Sequence, residues 1–304
     1  MLSVARNRHL SPTSPNRRGA RGRQSNVALC KSLYARLAGL IVLALLAVVP
    51  AHAATDFVFS VTEGVTYQAT PKEIRDKFEP LAELLAKALK RNVRLVLVPA
   101  YNDVRAGLAN QEYDLAFIHP AHVAMAEIKA GRYQSVGWTS GYTEYRVSLL
   151  TTPDQPIKSL DEIKGHVLVT PDPDSITAAM VRAMLRADKF KPDAVKVITT
   201  RYQDAIPFYL ENTFAQVGAT AANSVVKQWT DKGGKVVARS RGVPIKQFIA
   251  AARLPQKDRD TIRDVLLTLA QSDAGRHALA TSGYKGFVAP EPDVEKASID
   301  WLGL

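Results

Sequence analysis

The stretch from Asp172 to Thr177, Asp-Pro-Asp-Ser-Ile-Thr, stands directly before an apolar helical run and places two hydroxyls at a helix start. Ser175 is a good N-cap, a residue whose side-chain oxygen accepts from a free N–H of the first turn. The same geometry leaves the N–H groups of Ile176, Thr177 and Ala178 open to an anion, which the helix dipole favours there. Capping accounts for Ser175 but not for Thr177, a mediocre helix former placed over the N-terminus. Asp172 and Asp174 oppose a purely electrostatic anion site unless they turn outward and stiffen the loop. On these residues alone, a plain capped helix and an anion cradle stand level.

His119 and His122, in His-Pro-Ala-His, are the nearest approach to a metal motif. The closest acids, Asp114 and Glu127, are not at a spacing that completes a zinc set. A strand end followed by a helix start accounts for the pair, and either histidine is placed to touch a ligand. Gly-Trp-Thr-Ser-Gly (137–141) has its serine one place late for a nucleophile elbow. Gly-Gly-Lys (233–235) lacks phosphate-loop spacing, and neither H-E-x-x-H nor G-x-G-x-x-G occurs. No catalytic residue, metal or cofactor is assigned, and the chain is read as a non-enzyme. An exported enzyme using His119 and His122 is the enzymatic alternative.

The elements that must hold these residues alternate between strand and helix. Strands are expected at 57–61, 93–98, 113–118 and 134–139, with helices at 71–90, 103–110 and 121–130 between them. Pro80 lies inside the first helical pattern and is expected to kink it or start its second half. A second series follows: strands at 145–152, 166–170, 195–199, 214–220 and 235–240, with helices capped by Ser159 and Ser175 and another at 204–212. The last fifty residues read as helical. Such alternation predicts parallel sheets covered by helices on both faces. Two series suggest two α/β lobes, with a ligand cleft at the strand C-terminal ends.

The first 53 residues are set apart from the fold. Eight basic residues and no acid occupy 1–36, an apolar run of 14 residues covers 37–50, and Ala-His-Ala ends the segment. That order is a secretory signal peptide, and the run is shorter than the roughly 20 residues of a spanning helix. Its removal leaves 32 basic against 29 acidic residues, so the net charge falls from +11 to +3. The basic balance therefore lies mostly in the leader and gives no support to nucleic-acid binding. Cys30, the single cysteine, leaves with it. A soluble periplasmic protein with an ordinary core, acting as a monomer, is expected.

Several stretches, in order, resemble the periplasmic phosphate/phosphite/phosphonate-binding proteins of ABC transporters: 78–89, 113–128, 145–185 and 218–229. The resemblance implies a two-lobed type II periplasmic binding protein, each lobe a mixed, mostly parallel sheet flanked by helices. Lobe one would be 55–145 plus 236–304, and lobe two 146–235. It implies capture of a small oxyanion for an inner-membrane permease; docking on a membrane sensor kinase is the alternative use of the same fold. The family's Ser-Thr-Ser cradle falls on Ser175, Ile176 and Thr177, which keep two hydroxyls and the middle N–H. Its contact at the end of the third strand falls on 118–120, where His119 would donate, and Tyr67 would reach in from the loop after the first strand. A family histidine corresponds to Tyr202, beside Arg201. The carboxylates that hold the ammonium of aminoalkyl phosphonates would fall near Asn223 and near Lys246 and Gln247. Neither region offers an acid in sequence, so a phosphonate without an amino group is the expected ligand.

Overall fold

The structure, a computed structural model, describes residues 56–63 and 70–304. The expected leader (1–53) and Tyr67 lie outside the described residues. Strand β1 (Phe57–Thr62) alternates Phe57, Phe59 and Val61 with residues that are also largely covered, the pattern of a central strand buried on both faces. It pairs in parallel with β2 (Val93–Leu97) on one side and with β3 (Leu115–Ile118) on the other. Between β1 and β2 runs α1 (Pro71–Leu89). It opens on a capping box in which Thr70 and Glu73 satisfy each other's backbone N–H. The helix continues through Pro80 without dividing. Phe78, Leu81, Ala82 and Leu85 are buried on either side of it, so packing outweighs the lost backbone bond.

Helices α2 (Tyr101–Ala109) and α3 (Ala121–Lys129) flank β3, and β4 (Tyr133–Thr139) follows. The chain then leaves this sheet and builds a second one. β5 (Ser148–Thr151) leads to β6 (Val167–Thr170), α4 (Ile176–Ala187), β7 (Lys196–Thr199), α5 (Ile206–Glu211), β8 (Val217–Thr220), α6 (Asn223–Asp231) and β9 (Lys235–Arg239). It returns through β10 (Gln247–Ala251) to α7 (Gln256–Thr268), α8 (Asp273–Ser282), β11 (Phe287–Val288) and α9 (Pro292–Leu302). The first sheet has the order β11-β4-β10-β3-β1-β2, the second β7-β6-β8-β5-β9. Both are mixed. β10 runs antiparallel to β3 and β4, and β5 antiparallel to β8 and β9. β5 and β10 are each the strand by which the chain has just crossed from the other sheet, and β11 joins the first sheet's edge antiparallel to β4.

Two sequence expectations change here. The helix expected after Ser159 is a single 3-10 turn, Asp161–Ile163, because Gly165, at a φ of +79°, turns the chain straight into β6. Helix α6, placed as no element by periodicity, buries Val225, Val226 and Trp229.

Phe59, Phe78, Phe117 and Phe248 form the centre of the first core, with Phe117 and Phe248 rings 4.8 Å apart. The second core joins Ala121 and Met125 of α3 to Met180 and Met184 of α4 and to Ile299 and Leu302 of α9. Elements attached to different sheets therefore share apolar contacts. Among the described residues, no helix is long and apolar enough to cross a membrane.

Candidate functional site

The loop before α4 is built by its own aspartates. Asp172 accepts from the backbone N–H of Asp174 at 2.8 Å through its carboxylate, and its carbonyl accepts from Ser175 N–H at 2.8 Å. Asp174 turns away to meet Arg105 of α2 at 2.8 Å, and Arg182 donates to the Pro173 carbonyl at 3.0 Å. Both aspartates thus stiffen the loop. The Ser175 hydroxyl caps the helix by accepting from Ala178 N–H at 3.1 Å. Thr177 is 1% exposed, and its hydroxyl has no hydrogen-bond partner among the described residues. It approaches the Tyr145 hydroxyl without forming a well-aligned bond.

Tyr145 anchors a polar corner that links β8 to the turn before α5. Gln203 donates to its hydroxyl at 3.2 Å and accepts from Thr220 Oγ1 at 3.2 Å and from Ala221 N–H at 2.7 Å. Burial, partly offset by Gln203 and Thr177, pushes the Tyr145 phenol above its ordinary range, so it stays a neutral donor. A cavity of about 570 Å³ opens beside this corner, walled by Tyr142, Tyr145, Tyr202, Gln203 and Asp204 and by the first turn of α6. The α6 start has no side-chain cap, so its N–H groups are free to meet a ligand atom. Arg201 stacks its guanidinium 5.3 Å from the Tyr202 ring centroid.

The strand ends of the first sheet hold a second group of polar side chains. His119 follows β3, is 3% exposed, and its Nδ1 lies 3.0 Å from the Ile245 carbonyl oxygen. Burial, with Lys246 nearby, pulls its pKa down to about 4. His122, on the first turn of α3, is pulled down to about 3 by burial and by Arg105 and Arg182. Both imidazoles are therefore neutral at neutral pH, and His122 Nδ1 has no partner among the described residues. No group of three or more metal-ligating side chains occurs among the described residues.

Glu63, immediately after β1, is the centre of a buried ionic cluster. Lys77 Nζ is 2.7 Å away, Lys246 Nζ 3.1 Å, and the Tyr284 hydroxyl donates at 2.6 Å. Burial alone would raise the Glu63 carboxyl. The two lysines and the hydrogen bonds from Lys77 and Tyr284 outweigh it and hold the pKa at about 2.

The structure thus brings Thr177 to the Tyr145 corner, places Tyr202 on the cavity wall with Arg201 over its ring, and sets His119 beside the Glu63 cluster. Ser175 and Ile176 begin α4, with the serine committed as a cap. The expectation that no acid stands near Asn223 or Lys246 is corrected. Glu63 lies against Lys246 from 183 positions away in sequence, and Asp204 shares the cavity wall with Asn223. Tyr142, Tyr145, Gln203 and Glu63 carry no motif and are missed by sequence reading.

A family model described as the periplasmic substrate-binding protein of a phosphonate ABC transporter matches residues 64–294. No curated relative matches the chain. Among solved structures, XAC2383 from Xanthomonas citri bound to ATP aligns with a TM-score of 0.68 at 14% identity, over 82% of this chain and 98% of that one. PhnD1 from Prochlorococcus marinus in complex with methylphosphonate gives 0.59 at 14% identity, over 81% and 97%. The periplasmic aliphatic sulphonate binding protein SsuA from Escherichia coli gives 0.54 at 14%, over 81% and 90%. At such identities the likeness is one of fold.

Proposed function

Because this chain belongs to the family of phosphonate periplasmic substrate-binding proteins of ABC transporters, we propose that it closes on a phosphorus oxyanion at the start of α4. It then hands the ligand to an inner-membrane permease. The fold is the two-lobed type II periplasmic binding protein, and family membership favours import over docking on a sensor kinase. The lobes are 55–145 with 236–304, and 146–235, and they hinge where the chain crosses between sheets. The chain acts as a monomer, exported by its cleaved leader, and binds its ligand without converting it.

One observation carries the site: a fully buried Thr177 hydroxyl, unpartnered among the described residues, at the first turn of a twelve-residue helix. A buried hydroxyl left without a partner is costly, and an oxyanion there would satisfy it together with the N–H groups of Ile176 and Thr177, the Ala178 N–H being already taken by the Ser175 cap. Ser175 keeps the helix start in shape. Tyr202 walls the second-sheet side with Arg201 beside it, and His119 stands at a strand end of the first sheet. A cavity of about 570 Å³ beside the cradle leaves space for an organic substituent. The neighbours in complex with methylphosphonate and with ATP both carry phosphorus-bound oxygens, which supports the same choice of ligand class.

The test is calorimetric titration of protein unfolded and refolded to strip bound ligand. Methylphosphonate, phosphite, phosphate and 2-aminoethylphosphonate are the titrants, with sulfate at matched ionic strength as control. At least one phosphorus oxyanion is expected to bind more than about tenfold tighter than sulfate, a difference of about 1.4 kcal/mol. No binding beyond the sulfate control would overturn the reading.

A further inference from the structure

The Glu63 cluster holds two ammonium groups to one carboxylate. Lys246 is 4% and Glu63 7% exposed at the side chain, and Lys77 is 26% exposed. The Tyr284 hydroxyl ties them together, donating to Glu63 at 2.6 Å and accepting from Lys246 at 3.1 Å and from Lys77 at 3.3 Å. With Tyr284 neutral, the four groups carry one net positive charge. The carboxylate balances one of the two ammonium charges, and the remaining unit of positive charge attracts an anion that comes near.

The cluster sits where a ligand would feel that charge. Glu63 is the residue after β1, at the same end of the sheet as His119 after β3. Lys246 Nζ lies 4.9 Å from the ring centroid of Tyr142, and Tyr142 lines the cavity. Across the cavity wall, Tyr145 approaches the Thr177 hydroxyl. His119, within electrostatic reach of Lys246, Glu63 and Lys77, is neutral and adds no charge of its own.

We infer that the Glu63–Lys77–Lys246 cluster is a charge selector, which makes this protein prefer a doubly charged oxyanion over a singly charged one of the same shape. The inference rests on the oxyanion-binding reading above. It goes further by naming the charge state of the ligand and the residues, outside the cradle, that choose it. A unit charge within about 10 Å at an effective dielectric near 20 changes binding by about tenfold. The logarithmic effect on a dianion is twice that on a monoanion.

The experiment compares methylphosphonate with methanesulfonate in mildly alkaline buffer, where the first is doubly charged and the second singly. Each is titrated calorimetrically into wild type, Lys246→Met and Glu63→Gln, with a melting curve for every protein. Lys246→Met removes one positive charge and is expected to weaken methanesulfonate by about tenfold and methylphosphonate by about a hundredfold. Glu63→Gln removes the negative charge and is expected to move methylphosphonate the opposite way, towards tighter binding. Opposite signs cannot arise from damage to folding, which weakens both. Wild type that binds methylphosphonate and excludes methanesulfonate, with the two variants moving methylphosphonate in opposite senses, supports the selector equally. Equal losses of both ligands in Lys246→Met, or the same sign in both variants, would make the cluster structural only and overturn the inference. Wild type that binds neither compound overturns the inference, while the oxyanion reading stands or falls on the wider panel with phosphite, phosphate and 2-aminoethylphosphonate.

Discussion

Ser175 and Thr177 stand two positions apart on one helix start and meet different fates. The Ser175 oxygen is spent on Ala178 N–H, so replacing it would cost the helix a cap worth about 1 kcal/mol. The Thr177 hydroxyl is bonded to nothing among the described residues, so folding gains little from it. Thr177→Ala is therefore expected to leave the urea midpoint almost unchanged while weakening methylphosphonate binding by roughly 1–3 kcal/mol, the loss of a hydrogen bond to a charged group. Lowered stability with unchanged affinity would assign Thr177 to the helix alone. This asymmetry was legible in the sequence, because one cap explains one hydroxyl and leaves the other over. The Glu63 cluster was not legible. Glu63, Lys77, Lys246 and Tyr284 come from a strand end, a helix, a crossover segment and a late loop, and no local spacing foretells that they meet.

Elements with capped starts read correctly: α1 and α4 open on the side-chain caps of Thr70 and Ser175 and carry apolar runs that are buried. Helix α6 did not announce itself, since its start has no capping side chain. The antiparallel runs of β5 and β10 also escaped, because strand direction depends on where the chain crosses, which alternation does not encode. Between elements, the contact of most interest joins α2 to the loop before α4 through Arg105 and Asp174. Their side chains are 38% and 49% exposed, so solvent limits the pair to about 0–1 kcal/mol. It links an element of the first sheet to one of the second, and so belongs to the arrangement in which the two are drawn together. Arg105→Ala is expected to speed ligand release by up to about fivefold with little change in the association rate. Added salt should bring wild type towards the variant, since it screens half-exposed charges. Stopped-flow release rates check this, and an unchanged rate would leave the pair as surface decoration.

At the scale of the molecule, two mixed sheets are joined by two crossings, and the second core reaches across from α3 to α4 and α9. A shared core makes the halves melt together, so one cooperative transition is expected in place of two. Ligand closed between them binds the folded chain and not the unfolded one. By mass action, a ligand at about a hundredfold excess over its Kd adds about 2.7 kcal/mol to stability. For a chain of this size each kcal/mol moves melting by roughly 2–4 °C, so the true ligand is expected to raise Tm by about 5–10 °C. Sulfate at matched ionic strength sets the baseline, because general anion effects raise both alike. Thr177→Ala supplies the internal check: its Tm without ligand should match wild type, and at the same ligand concentration its shift should shrink in step with its weaker affinity. A full shift retained by Thr177→Ala would mean that the stabilising ligand binds elsewhere, and the start of α4 would lose its claim to be the site.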